Sequence, residues 1–158
     1  MAPLYRERLT LEGAVLAASG AAGCAVLLTL VPEARENLGS TIGQLAFVTL
    51  LCATLGPFLA RRWTGRAERV TERGVSGDPT PVWQLPAITA GLALAVALPT
   101  GSWDAGLRVT GGCLLVGLTQ AAVMAPTVRA EERRRGRRYV RLPGSRLLRG
   151  TRLGYSDR

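Results

Sequence analysis

Few residues of this sequence belong to the types that perform chemistry. The 158 residues include no His and no Lys, so the commonest general base and the commonest metal ligand are missing. The cysteines, Cys24, Cys52 and Cys113, lie in apolar stretches, and none is part of a CxxC pair. Ser19 has no His or Lys to activate it as a nucleophile. We therefore expect no enzyme, no cofactor and no metal centre.

The carboxylates do not form a recognisable site in the sequence. Glu33, Glu36 and Asp104 fall in predicted turns, where Arg35 and Arg108 accompany them. A catalytic metal ion needs clustered ligands, whereas scattered acids beside arginines are typical of a solvated, charge-mixed rim. We expect such a rim here.

The residues around these groups are arranged in long apolar stretches. The last one, Val109 to Val128, has twenty residues without a charge, which is enough to cross a bilayer. Three similar stretches precede it. The sequence therefore predicts an all-α membrane protein, a bundle of four transmembrane helices over residues 13–31, 42–60, 82–99 and 109–128.

The charged residues lie between these spans and predict the orientation. Eighteen of the 20 arginines fall in the N-terminal segment, the basic loop and the tail, which are residues 1–12, 61–81 and 129–158. The outer turns, residues 32–41 and 100–108, hold only two arginines. The positive-inside rule then predicts that both termini are cytoplasmic.

Composition and aromatic residues agree with this topology. A formal charge of +9 is combined with a mean hydropathy of +0.19, which is typical of a membrane protein with charged loops. Trp63, Trp83 and Trp103 flank the spans and are predicted to anchor them at the membrane interface. The use of Arg without Lys indicates a GC-rich genome, and we expect a multi-pass protein of a bacterial plasma (inner) membrane.

Small residues recur at every fourth position, and such rows let membrane helices approach closely. Two explanations stay open: the rows close the bundle, or one remains available for a protein partner or a second copy of the chain. Gln44 and Gln120 are predicted to form interhelical polar contacts. The rows comprise Gly13, Ala17, Ala21 and Ala25; Gly39 and Gly43; Ala87, Gly91 and Ala95; and Cys113, Gly117, Ala121 and Ala125.

The tail begins with a dense arginine run directly behind the last span. Near an anionic leaflet each arginine adds about 1 kcal/mol of attraction, so we predict contact with anionic lipid headgroups. Nucleic acid is the weaker alternative because no aromatic platform accompanies the run. Pro143, Gly144, Gly150 and Gly154 interrupt the tail, which is therefore predicted to hold at most short helical pieces and to be partly disordered. The predicted lipid-contacting residues are Arg133, Arg134, Arg135, Arg137 and Arg138.

The functional hypotheses follow from what the spans lack. No charged residue lies within them, although ion-coupled transporters and proton relays normally need one. We therefore expect a non-enzymatic accessory or scaffold subunit of a membrane assembly. The alternative is a small oligomeric pore or transporter, including a holin-like one, with a path lined by Gln and Thr.

Overall fold

The computed structural model describes residues 4–36, 38–70, 82–142 and 153–157. Most of the predicted basic loop (71–81) and of the distal tail (143–152) lies outside these residues. The described part is mostly helical. Its elements are α1 (Tyr5–Leu30), α2 (Glu33–Glu36), α3 (Leu38–Gly65), β1 (Glu68–Arg69), α4 (Gln84–Thr100), α5 (Trp103–Thr119), a π-helical segment (Gln120–Met124), α6 (Ala125–Arg135), β2 (Arg137–Arg141) and β3 (Leu153–Asp157).

Three helices are long and apolar enough to cross a membrane. They are α1, α3 and the continuous 33-residue helix Trp103–Arg135, which joins α5, the π segment and α6. We call the last of these the long helix. The fourth, α4, is equally apolar but has 17 residues, at the lower end of the usual length of a span. The described part of the chain is thus predominantly α-helical, with three candidate membrane-spanning helices.

The helices extend beyond the predicted charge-free spans. Helix α1 begins at Tyr5, eight residues before the predicted start at Gly13, and the long helix continues to Arg135. Both extensions carry charged side chains and lie at the same end of the bundle. Leu4, strand β3 and the end of α3 lie there too, so we call it the arginine-rich end.

Helix α5 is central, and α1 packs against it most closely. A Cβ placed on Gly20 would lie 2.4 Å from the Leu114 backbone nitrogen, and one on Gly117 would lie 2.4 Å from the Ala17 nitrogen. The two backbones are therefore in direct contact, as small residues allow between membrane helices. We call this contact the glycine seam. On α1 it runs through Gly13, Ala17 and Gly20.

The rows of small residues were predicted only in part. Ala21 and Ala25 are exposed, because each four-residue step overshoots a helical turn by about 40° and the row drifts off the contact. Gly20 continues the seam instead. On α4 the buried row is Thr89, Ala93 and Ala97, and the predicted row of Ala87, Gly91 and Ala95 faces outward. A Cβ added at Gly39 or Gly43 would meet nothing within 4 Å.

The long helix changes its hydrogen bonding in the middle. The Ala125 N–H donates to the Gln120 carbonyl, five residues back, instead of four. Pro126 explains the change, because it has no N–H and its ring would collide with the carbonyl of Ala122. A π turn accommodates the displaced carbonyl and shifts the register of the helix. The extra residue in this turn rotates the side chains of α6 relative to those of α5.

The outward surface of the bundle is apolar. Phe47 and Leu50 on α3 are 66% and 65% exposed, and Leu98 on α4 is 65% exposed. A water-soluble monomer rarely exposes so many large apolar side chains. They form a surface suited to lipid acyl chains.

Candidate functional site at the arginine-rich end

A small β-sheet covers the arginine-rich end of the helices. Its strand order is β1-β3-β2: β1 is parallel to β3, and β2 is antiparallel to β3 with Tyr139 opposite Tyr155. Leu4 adds one antiparallel bridge to Val140. We call these strands, with the adjoining ends of α1, α3 and α6, the sheet cap. The prediction that the tail holds at most short helical pieces was therefore wrong for β2 and β3.

The sheet cap has its own apolar core. Tyr139 and Val128 are fully buried, and Tyr5, Leu9 and Leu153 are nearly so. Trp63 and Tyr155 cover the edge of this cluster. The core therefore draws on residues from both ends of the chain and from the end of α3. Its remaining members are Ala60, Met124 and Ala125, and Ala67 packs against them.

Beside this core lies a buried carboxylate. The side chain of Glu132 has no solvent exposure, and its Oε2 accepts a hydrogen bond from Arg6 Nη1 at 2.7 Å. Its Oε1 accepts from the Tyr139 backbone N–H at 3.2 Å. Both carboxylate oxygens are thus satisfied, as a buried charge requires. The arrangement joins α1, α6 and β2 through one side chain.

A second carboxylate joins the first turns of α1 to β2. Glu12 Oε1 lies 2.6 Å from Arg8 Nε within α1 and 3.3 Å from Arg141 Nη1 on β2. Arg8 is itself nearly buried. These two acids, Glu12 and Glu132, hold the beginning of α1 to the C-terminal part of the chain.

The hydroxyl of Tyr139 lies in this buried environment. Burial raises its pKa above the ordinary value of 10.0, and the guanidiniums of Arg135 and Arg137 oppose part of that rise. Within the residues described, the hydroxyl oxygen has no hydrogen-bond partner. It contributes a neutral, desolvated group to the core of the sheet cap.

The five arginines predicted to contact anionic lipid divide into two groups. Arg133, Arg134 and Arg138 are exposed. Arg135 Nε lies 3.0 Å from Glu131 Oε2, and the Arg137 guanidinium lies 4.0 Å from the centre of the Tyr155 ring. The first group presents its charge to the surroundings, whereas the second has contacts within the sheet cap.

The remaining predicted residues occupy different surroundings. Trp83, before α4, is exposed, whereas Trp63 is partly buried against the sheet cap and Trp103 begins α5 at the opposite end. Gln44 is exposed on α3, and Gln120 opens the π segment beside α1. Neither Gln side chain makes a hydrogen bond to another described residue, so their interhelical role stays a prediction.

The charged residues of the opposite end whose side chains the structure describes make local contacts. Asp104 accepts a hydrogen bond from Ser102 and lies 2.8 Å from Arg108 Nη2, and Arg35 Nε donates to the Leu28 carbonyl at 2.6 Å. Across the described ranges, no group of three His, Cys, Asp or Glu residues is placed to hold a metal ion. The cysteines are unpaired thiols, and Cys24 Sγ lies 3.3 Å from Thr110 Oγ1.

Sequence reasoning missed the residues that assemble the sheet cap. Arg6 and Glu132 are 126 positions apart, and Glu132 sits in an arginine-rich run that resembles a solvated surface. The one available signal was Tyr139 followed by Val140, two residues of high strand propensity among arginines, and this pair is too short to distinguish a strand from a loop. Comparison with protein-family models, with curated proteins and with solved structures finds no match for this chain.

Proposed function

We propose that the chain spans a bacterial plasma membrane four times, with both termini and the sheet cap on the cytoplasmic side. The length and apolar character of α1, α3 and the long helix support this, and α4 completes the count at 17 residues. The arginine distribution supports the orientation. At the end away from the sheet cap, Arg35 and Arg108 are the arginines present.

We propose further that the protein is a non-enzymatic accessory or scaffold subunit of a membrane assembly. The observation that carries this proposal is the sheet cap. Buried Glu132 and Tyr139 fix its shape, and it presents Arg133, Arg134 and Arg138 on a surface whose backbone is held in place. A rigid surface that displays charge is suited to docking another protein, because little conformational freedom is lost on binding.

The topology is tested by cysteine accessibility. The three native cysteines are first replaced by alanine, and Glu33→Cys or Arg134→Cys is then introduced. Both residues are exposed, and they lie at opposite ends of the bundle. We expect an impermeant thiol reagent to label the Glu33 variant in intact cells and the Arg134 variant only after lysis. The opposite pattern contradicts the orientation.

Turn glycines are poorer labelling positions. Gly101 and Gly136 end their helices with φ of 62° and 63°, a conformation that side chains other than glycine rarely adopt. A cysteine at either position would strain the turn, so its labelling could reflect a disturbed structure instead of the side of the membrane. The exposed helical positions avoid this problem.

The accessory role is tested by photo-crosslinking in native membranes. A crosslinking amino acid at Arg134 is expected to capture one defined protein, whereas the same amino acid at Glu33 serves as the control on the opposite face. Purified protein is also placed in liposomes and assayed for solute flux. Flux together with the absence of a specific crosslink would favour the oligomeric pore over the scaffold.

A further inference from the structure

A cavity of about 220 Å³ opens between α1 and the long helix at the arginine-rich end. Arg6 and Glu7 form its wall on the α1 side. Ala121, Ala125 and Pro126 form an apolar floor, and Arg129 lies beyond the floor on the next turn of α6. The cavity therefore combines two cations, one anion and a hydrocarbon surface.

The charged groups around the cavity are not equivalent. Arg6 is held by the buried Glu132 carboxylate at 2.7 Å, so its guanidinium has a fixed position and a compensated charge. Arg129 is exposed and forms no ion pair with any residue in the described ranges. Glu7 is 59% exposed, and its Oε1 lies 3.9 Å from Arg6 Nη2. One uncompensated cation and one accessible carboxylate thus face the same opening.

The cavity lies where the charged turns of the helices meet their charge-free stretches. Its α1 wall lies in the charged first turns, and the charge-free stretch begins a few residues later at Gly13. On the long helix the apolar floor belongs to the predicted span and Arg129 directly follows it. With the proposed insertion, this level is the boundary between acyl chains and headgroups.

We propose that this cavity binds a phospholipid that carries a primary ammonium group, a phosphatidylethanolamine. The phosphate lies against Arg129, with Arg6 as the second cation, because a guanidinium forks onto phosphate oxygens. The ammonium donates to the Glu7 carboxylate. One acyl chain begins over Ala121, Ala125 and Pro126. The site rests on the proposed membrane insertion and is separate from the exposed arginines of the tail.

The roles assigned to Glu7 and Arg129 make different demands on the lipid. Arg129 requires a phosphate and does not distinguish headgroups. Glu7 distinguishes them, because an ethanolamine ammonium donates hydrogen bonds, a quaternary choline ammonium has no N–H to donate, and a glycerol headgroup has no positive charge. The choice of lipid therefore reports on Glu7, and the strength of binding to every phospholipid reports on Arg129.

The test uses the full-length protein in a mild detergent and counts bound lipid by native mass spectrometry. Ethanolamine, choline and glycerol phospholipids with identical acyl chains are added in turn. We expect the ethanolamine lipid to bind most strongly. Arg129→Gln should weaken binding of all three by about tenfold, the loss expected for one charge-assisted contact. Glu7→Gln should remove the preference for ethanolamine over choline.

Arg62→Gln is the matched control, because it removes the same charge from an exposed position at the arginine-rich end, outside the cavity and outside the arginines predicted to contact lipid. Equal losses in Arg129→Gln and Arg62→Gln would overturn the site. Stronger binding of the glycerol lipid, unchanged in Glu7→Gln, would overturn the headgroup assignment. Soluble glycerophosphoethanolamine that competes as well as the lipid would show that a free phosphodiester, without acyl chains, is the ligand.

Membrane insertion is measured separately on the same proteins by alkaline extraction of membranes. Protein that resists extraction but binds no phospholipid contradicts the lipid site and leaves the membrane proposal standing. Protein that is released by alkali contradicts the insertion on which both proposals rest. The thermal stability of each variant in detergent shows whether a loss of lipid reflects unfolding.

Discussion

The same two helices, α1 and the long helix, are held together in different ways at two heights. In the charge-free region they meet at the glycine seam, where Gly20 and Gly117 bring backbone against backbone. At the arginine-rich end they are joined by Arg6 and the buried Glu132, beside a core that contains Tyr139. One contact excludes side chains, and the other depends on them.

The difference follows from the surroundings of each contact. Between membrane helices, lipid is as apolar as the helix surface, so close packing supplies much of the attraction. Under the proposed topology the sheet cap lies outside the bilayer, where water provides a hydrophobic driving force for the burial of Tyr139 and Leu153. Small residues therefore suit the first region, whereas aromatic residues and ion pairs suit the second.

The largest effect is expected when the ion pair of the sheet cap is broken. Arg6→Gln leaves the Glu132 carboxylate buried, with the Tyr139 N–H as its one remaining partner among the described residues. Leaving a buried charge unpaired costs about 3 kcal/mol. We expect the amide hydrogens of β2 to exchange faster by hydrogen exchange, while those of the glycine seam stay unchanged. Unchanged exchange in β2 would show that the pair does not hold the sheet cap.

Replacing the other partner of the ion pair tests the same explanation further. Glu132→Gln leaves Arg6, which is 28% exposed and can reach water. It should therefore destabilise the sheet cap less than Arg6→Gln does, as measured by the same exchange experiment. Equal effects would mean that the attraction between the two charges matters more than the isolation of the carboxylate.

A smaller loss is expected from the glycine seam. Gly20→Ala places a Cβ against backbone atoms of Leu114 and Thr110 that cannot rotate away, so the helices must separate. We expect a loss of about 2 kcal/mol, in the range of overpacked cores, measured by unfolding in mixed micelles. The control is Gly91→Ala, because a Cβ there has nothing within 4 Å.

That control should keep or gain stability, by up to about 1 kcal/mol, since alanine is the better helix former. A comparable loss in both variants would mean that backbone conformation, and not contact with α5, explains the result at Gly20. A loss at Gly91 in membranes that disappears in detergent would instead indicate that the exposed face of α4 contacts another protein.

The smallest effect at neutral pH is expected for Tyr139→Phe. The hydroxyl is buried without a hydrogen-bond partner in the described part of the chain, so its removal leaves no partner stranded. Stability at pH 7 should change by less than about 1 kcal/mol in a thermal melt. Tyr139→Ala, which empties the core, should by contrast cost about 3 kcal/mol.

Because the pKa of Tyr139 is raised, the stability of the wild-type protein should depend on pH differently from that of Tyr139→Phe. The native state holds the neutral hydroxyl, so its contribution is fully present below the ordinary value of 10.0 and is lost as the pH rises above that value. We expect wild-type stability to fall more steeply than that of Tyr139→Phe in melts above pH 10. Parallel curves would contradict the burial of the hydroxyl.

The sequence predicted the helices well because a long charge-free stretch requires nothing else from the chain. Gly13 and Ala17 were also placed correctly at a helix contact. Gly20 was missed because the expected row kept a strict four-residue step, which drifts around the helix. On α4 the error was one of direction: several faces are rich in small residues, and only the position of α5 decides which one is buried.

The sheet cap could not be predicted, because the contacts that assemble it join residues far apart in the sequence. Glu132 lies in a run of charged residues, and its burial depends in part on Arg6, 126 positions away. β3 is five residues long and becomes a strand by pairing with β2. Local patterns therefore predicted the long apolar helices and missed the sheet cap at their end.

Because the sheet cap combines Leu4 with strands β2 and β3, it can close only after β3 has been synthesised. Leu4 pairs with Val140, and Arg6 pairs with Glu132, which is synthesised 126 residues after it. Under the proposed topology, a chain whose α1 had inserted backwards would leave these partners on opposite sides of the bilayer. Such a chain would keep unpaired strand edges, and the Glu132 carboxylate would lack its ion pair with Arg6. Under this topology, the sheet can therefore close only in chains whose helices entered the membrane in the right direction.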